Sequence, residues 1–325
     1  MKRSARFGRL ARAGFAGILI PAGGLLAQTP EPAPSRQVAL TFDDLPMAGG
    51  PCVPALARDV TRRILEALDR ASAPAAGFAN ASRSCGEPFD ELRDPVLEAW
   101  LDAGHEIGNH TWSHPDLERT PLATYLEDVG KGAAPLDSLL RVRGRRLVWF
   151  RHPFLHAGDT PAKKQGLASY LEENGWRVAP VTVDNQEWVY AYVYHAALER
   201  GDSALANRTA DAYLDHIDDA FAYFEARSRE VLGREIPQVL LLHANRLNAD
   251  QLDTLLARLR ARGYRFVNLE DALGDAAYAV GDPYLGRGGP SWIERWASGR
   301  GGEARQGPRE HPWVAESYDR LRDAR

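Results

Sequence analysis

Two histidines four residues apart, His110-Thr-Trp-Ser-His114, have a spacing that could do chemistry. On a helix they would share one face and could both reach one metal ion, at about 2.0–2.1 Å for zinc. An aspartate oxygen would complete a three-ligand catalytic set with one open position. Asp43-Asp44 could supply it, because the apolar run Val38-Ala-Leu-Thr-Phe42 carries that pair up from a buried strand. Adjacent side chains point opposite ways if the strand continues and fan apart if it turns. One carboxylate can then bind metal while the other faces the reaction centre as a base. His243 closes a second apolar run, Val239-Leu-Leu-Leu242. A buried imidazole needs a partner, and a neighbouring carboxylate would tune it as a general acid. His105, His152, His156, His195 and His216 lack comparable context and read as structural or exposed.

These residues must be positioned by something regular. Short apolar or β-branched runs alternate with stretches of helical period. The strands expected are 38–42, 75–79, 105–108, 147–150, 177–183, 238–243 and 265–269. Helices are expected over 55–71, 95–103, 121–141, 162–174, 203–232 and 250–262. Seven βα units in sequence imply a parallel sheet covered by helices, and either an open doubly wound sheet or a closed barrel would fit. Asp43 and Asp44 follow the first strand, His110 and His114 the third, Arg151 the fourth and Asp184 the fifth, while His243 closes the sixth. In a parallel α/β fold those carboxyl ends gather on one face, so residues spread over two hundred positions converge on one place.

Composition sets the limits. The chain has 325 residues, 44% hydrophobic and 26% charged, which excludes wholesale disorder and coiled-coil composition. A net charge of −4 gives no reason to expect nucleic acid. Two cysteines cannot make a four-cysteine zinc site, and no apolar run approaches the ~18–20 residues of a membrane span, so no stable membrane insertion is expected. Lys2, Arg3, Arg6, Arg9 and Arg12 precede a short small-residue apolar stretch, Ala13–Leu26, and Ala27, which is the pattern of a signal peptide. Cleavage after Ala27 would remove five positive charges and no negative ones, taking −4 to −9. The protein is then expected to be exported, to a periplasm or outside the cell. In an oxidising compartment Cys52 and Cys85 are expected to bridge.

At the chemistry-bearing residues the sequence resembles the polysaccharide deacetylase (NodB-homology) family, carbohydrate esterase family 4. Thr41-Phe-Asp-Asp-Leu-Pro46 is similar to its first motif, with Leu45 where glycine is usual, and His110–His114 to its second. Arg151-His-Pro-Phe154, Asp184-Asn-Gln-Glu-Trp188 and Leu241-Leu-His243 resemble the third, fourth and fifth, in order. The resemblance implies a distorted (β/α)7 barrel and one divalent metal ion, zinc, held by Asp44, His110 and His114. It implies that Asp43 is the base acting on the attacking water, oriented by Arg151, and that the backbone N–H of Phe154 helps to hold the oxyanion. His243 would protonate the leaving amine, tuned by Asp184 or Glu187. Trp188 and Leu241 would line the acetyl-methyl pocket.

The expected organisation is signal peptide 1–27, linker 28–35, catalytic domain 36–280 and C-terminal extension 281–325. The expected reaction is metal-dependent removal of acetyl groups, N-linked or O-linked, from an envelope or extracellular glycan. Hydrolysis of a small amide or imide on the same scaffold is an alternative, as is a carbohydrate-binding protein with a relic metal site. Trp112, Trp188, Tyr190, Tyr192 and Tyr194 are candidates for surface aromatics along a glycan cleft.

Overall fold

The computed structural model describes residues 36–50 and 52–323. The expected signal peptide and linker lie outside them. Among the described residues no helix is long and apolar enough to cross a membrane.

The first strand, β1 (Arg36–Leu45), is the axis of the sheet. It pairs in parallel with β6 (Gln238–His243) along one edge. Along the other it pairs with β2 (Ala75–Ala79) above and β7 (Tyr264–Val267) below. From β2 the order continues through β3 (Glu106–Asn109) and β4 (Trp149–Phe150) to β5 (Arg177–Val178). Beyond β5 the chain crosses to β6, where the Thr182 and Val183 N–H groups donate to the Val239 carbonyl at 3.0 Å and Val183 bridges Leu240. The sheet therefore closes on itself. This decides between the two architectures that periodicity left open: the fold is α/β, an irregular seven-stranded parallel barrel.

Alternation along the strands sorts the side chains. Val38, Leu40 and Phe42 point outward into the large core shared with the helices, while Ala39 points inward with Ala76, Phe78, Trp149, Ala179 and Val239. The lower mouth is filled by Val267 of β7 and by Leu269 and Ala272 of the short helix α8 (Leu269–Leu273).

The outer helices are α1 (Pro54–Arg70), α2 (Arg93–Asp102), α3 (Leu122–Arg141), α4 (Pro161–Glu173), α5 (Glu187–Glu199), α6 (Ser203–Leu232) and α7 (Arg246–Ala261). The bounds of α6 are those read from the sequence. Asp202 accepts the Leu205 N–H at its start, and Gly233 closes it in the left-handed conformation. The helix α5 has no amphipathic stripe because it is buried nearly all round against α6, α7 and α10 (Pro312–Asp323). Tyr190 and Tyr194 are part of that packing and are not surface aromatics.

The C-terminal segment packs on the barrel through α9 (Trp292–Gly299), whose Trp292 and Trp296 are buried, and through Val314 and Leu321 of α10. Cys52 and Cys85 form a disulfide, with Cα atoms 4.8 Å apart. Across a sequence separation of 33 residues, the chain-entropy model gives a stabilisation of about 3–4 kcal/mol.

Candidate active site

The upper barrel mouth collects the predicted residues. Asp44 sits at φ 64°, where β1 loses register with β2 between Phe42 and Leu45, and this bulge parts the two carboxylates. Asp43 stays inside, 3% exposed, and its oxygens accept from Arg151 Nη1 at 3.2 and 3.3 Å. Arg151 is fully buried. Its Nη2 donates to Thr41 Oγ1 at 3.0 Å and its Nε to the Ala179 carbonyl at 2.9 Å, and its guanidinium lies 4.5 Å from the Phe78 ring centroid. Thr41, Asp43 and Arg151 are thus paired with one another, as a buried charge requires.

Asp44, His110 and His114 present one ligand atom each, all within 4.8 Å of one another. His110 Nε2 and His114 Nε2 stand 3.9 and 3.7 Å from Asp44 Oδ1. The two histidines do not share a helix face. They lie on a turn after β3, with Thr111 and His114 both at positive φ, and the turn itself brings the rings together at 4.8 Å. The helix α3 braces this turn. Asp128 accepts the Trp112 and Ser113 N–H groups at 2.8 and 2.9 Å, and Asn109 donates to the Val129 carbonyl at 3.0 Å. Gly132 is where α3 touches it: a Cβ there would stand 2.5 Å from the Thr111 carbonyl carbon.

The set fits a divalent cation. Asp44 Oδ1 is buried and accepts no hydrogen bond. His110 donates Nδ1–H to the Arg151 carbonyl at 2.9 Å, which leaves the Nε2 lone pair directed at the site. Burial pushes both imidazoles down to about 4, so they are neutral, as ligands must be. Burial would raise Asp44, but the Arg83 guanidinium at 3.7 Å and the two imidazoles outweigh it and hold the carboxyl well below the usual range. For Asp43 the balance is reversed, and burial outweighs Arg151 and leaves the carboxyl above its ordinary value.

On the β6 side, His243 Nδ1 lies 2.8 Å from Glu187 Oε2. Burial opposes protonation of His243, but Glu187 wins and raises it to about 9. Glu187 rather than Asp184 is the carboxylate on His243. The Asp184 carboxylate instead takes the backbone N–H groups of Asn185 and Gln186, because it precedes the turn that starts α5 while Glu187 stands in its first turn. Assigning Asp184 to that task is therefore corrected, although Asp184 still lines the cleft. Glu187 is itself held from behind. Its Oε1 accepts from Asn245, and its N–H donates to Asn185 Oδ1 at 3.0 Å. Asn245 also caps α7, and Asn248 binds the His243 carbonyl at 2.8 Å. Sequence reasoning did not find Arg83, Asn185, Asn245 or Asn248 as site residues. An asparagine three residues before Asn248 at a helix start was the one readable signal, and it reads as a cap.

Phe154, Trp188 and Leu241 line the same cleft, of about 570 Å³. Phe154 and Trp188 are 54% and 46% exposed. The Phe154 N–H has no hydrogen-bond partner among the described residues. Tyr192 and Tyr318 complete the wall, with Tyr318 edge-on to Trp188 at 5.4 Å.

Residues 31–178 match the family model described as polysaccharide deacetylase. The chain is 21% identical over 257 residues to the peptidoglycan-N-acetylglucosamine deacetylase PgdA of Listeria monocytogenes, covering 79% of this chain and 43% of that protein. It is 26% identical to the peptidoglycan-N-acetylmuramic acid deacetylase PdaC of Bacillus subtilis, over 72% of this chain and 38% of that one. With a chitin deacetylase of Colletotrichum lindemuthianum it shares 23% identity over 85% of this chain and 97% of the relative. The chain thus spans less than half the length of the first two. The solved structure of PdaC aligns with 74% of this chain and 93% of its own at 23% identity, with a TM-score of 0.47. The motif resemblance and the family match over residues 31–178 agree: this part of the chain is similar to polysaccharide deacetylases.

Proposed function

We propose that this chain is a metal-dependent hydrolase that removes acetyl groups from the amide nitrogens of an acetylated glycan, within a catalytic domain at 36–280 completed by the extension 281–325. The observation that carries the reading is the meeting, in one cleft, of a three-ligand set with two separately tuned proton-transfer groups. Amide hydrolysis needs a water made nucleophilic, an oxyanion stabilised and a poor leaving group protonated. A divalent cation, zinc by the chemistry of two imidazoles and a carboxylate, would be held by Asp44, His110 and His114 and would supply Lewis-acid polarisation.

The chain's own residues do the rest. Asp43, kept in place by Arg151, accepts the proton of the attacking water, and its raised affinity for protons suits it to that task. The unpartnered Phe154 N–H donates to the developing oxyanion. His243, charged at neutral pH by its contact with Glu187, gives its proton to the leaving nitrogen. A base and an acid with opposed assignments thus face one substrate. Trp188 and Leu241 bound the space for the acetyl methyl. The names of the relatives, peptidoglycan and chitin deacetylases, support an N-acetylated envelope or extracellular glycan. The basic and apolar start of the chain supports export to a periplasm or beyond.

The test is acetate release from chitin oligomers, peptidoglycan, poly-N-acetylglucosamine and acetylxylan, before chelation, after it and after zinc is restored. Release from an N-acetylated polymer that chelation abolishes and zinc restores is expected. Undiminished release after chelation would sink the proposal.

A further inference from the structure

A second imidazole–carboxylate pair faces the cleft. His156 follows the turn Pro153–Leu155 and lines the cleft with the ligand set. Its Nδ1 is 2.8 Å from Asp116 Oδ1 and 3.5 Å from Glu118 Oε1. The carboxylates are largely buried, with side-chain exposures of 17% and 5%. Both are anchored. Asp116 also takes the Glu118 N–H at 2.9 Å, and Glu118 takes the Gly288 N–H at 2.5 Å. Lys163 ties down the carbonyls of Leu117 and Glu118, both at 2.7 Å. The C-terminal segment closes on the same turn, where a Cβ on Gly289 would stand 2.2 Å from the Phe154 carbonyl oxygen. The ring is therefore held through Nδ1 by two anchored carboxylates. Its Nε2 has no hydrogen-bond partner among the described residues.

Nothing in the proposed reaction uses this group. The base and the acid are Asp43 and His243, and the three ligands do not include it. A polar ring held this firmly at a cleft wall is a binding group. Its free nitrogen suits a hydroxyl, which can both give and take a hydrogen bond. We propose that His156 is a specificity-determining residue that binds a ring hydroxyl of the substrate sugar, with Asp116 as its positioning residue. This rests on the deacetylase reading and sharpens it. A substrate without a sugar hydroxyl, such as a simple amide, imide or activated ester, would gain nothing from His156.

The experiment compares the zinc-loaded full chain with His156→Ala, His156→Gln and Asp116→Asn, on a soluble N-acetylglucosamine oligomer and on 4-nitrophenyl acetate. Metal content and melting temperature are measured alongside. His156→Ala should raise KM for the oligomer about tenfold, the worth of one good hydrogen bond, and leave the ester unchanged. His156→Gln, whose amide can stand near the Nε2 position, should recover part of the loss, and Asp116→Asn should fall between. Equal losses on oligomer and ester, or no loss on either, would overturn the assignment of His156 while leaving the deacetylase reading intact. A wild-type protein that cleaves the ester and no glycan would overturn both.

Discussion

The lower and upper halves of the barrel interior are lined by the same strands and differ by about one inward position. On β1 the inward row runs Ala39, Thr41, Asp43, and on β6 it runs Val239, Leu241, His243. Below, Phe78, Trp149 and their small neighbours fill space without polar atoms, and α8 plugs the mouth. Above, Asp43, Arg151 and His243 bring charge into the interior beside the small apolar cluster of Leu155, Val181 and Leu241. Arg151 is the boundary, with its guanidinium facing the Phe78 ring and bonded to Thr41 and Asp43. Two residues of strand, about 6.6 Å of rise, separate packing from chemistry. The lower layer gives the upper one rigid supports, and the upper one puts buried charge where only exact pairing makes it tolerable.

The separation can be broken or sharpened by substitution. The largest effect should come from His110→Ala or Asp44→Asn. Each is expected to reduce bound zinc below stoichiometry by elemental analysis and to bring glycan deacetylation to background, with the melting curve still cooperative. Next, Asp43→Asn should keep its zinc and its fold and lose 10²–10⁴-fold in kcat, about 3–5 kcal/mol of barrier, because only the proton acceptor has gone. In the lower layer, Phe78→Ala should cost about 3–5 kcal/mol of stability in denaturant unfolding while metal content and KM below the transition stay put. If it cost as much turnover as Asp43→Asn in the folded protein, the two halves would not be separable.

The smallest effect is a displacement along the pH axis. His243 is raised to about 9, so it is charged below that pH, and the rate should fall as pH rises through it. In Glu187→Gln the burial that opposes the charge remains and the carboxylate that favours it is gone. The basic limb of kcat should therefore move to lower pH, and a profile from pH 6 to 10 that did not move would separate His243 from the proton transfer.

Much of this was legible in sequence because it is local. The strands at Ala75–Ala79 and Gln238–His243 have the expected bounds, since unbroken apolar runs ending in a polar residue mark buried parallel strands. The convergence of Asp44, His110 and His114 was legible because each sits at, or just past, a strand's carboxyl end. What was not legible depends on partners far away in the chain. The helix α5 escaped because burial on nearly all sides erases the stripe that marks a helix. His156 read as structural or exposed because Asp116, its nearest partner, lies 40 positions earlier. The choice between Asp184 and Glu187 turned on where one helix begins, which is among the least readable features of a sequence. The two histidines do come together as expected, but by a different local geometry, since spacing of four brings side chains together in a suitable turn as well as on a helix.

The burial of Trp292, Trp296, Val314 and Leu321 bears on how the fold can be divided. Each fully buried apolar side chain of this size contributes about 1.5–3 kcal/mol, so these four together rival the whole net stability of an ordinary domain. Through Gly288 and Gly289 the same segment also leans on Glu118 and on the Phe154 turn. The motifs stop at His243, but the packing does not: the segment after residue 280 shares its buried side chains with the barrel. Residues 281–323 would therefore be expected to be lost or exchanged only together with the barrel against which they pack.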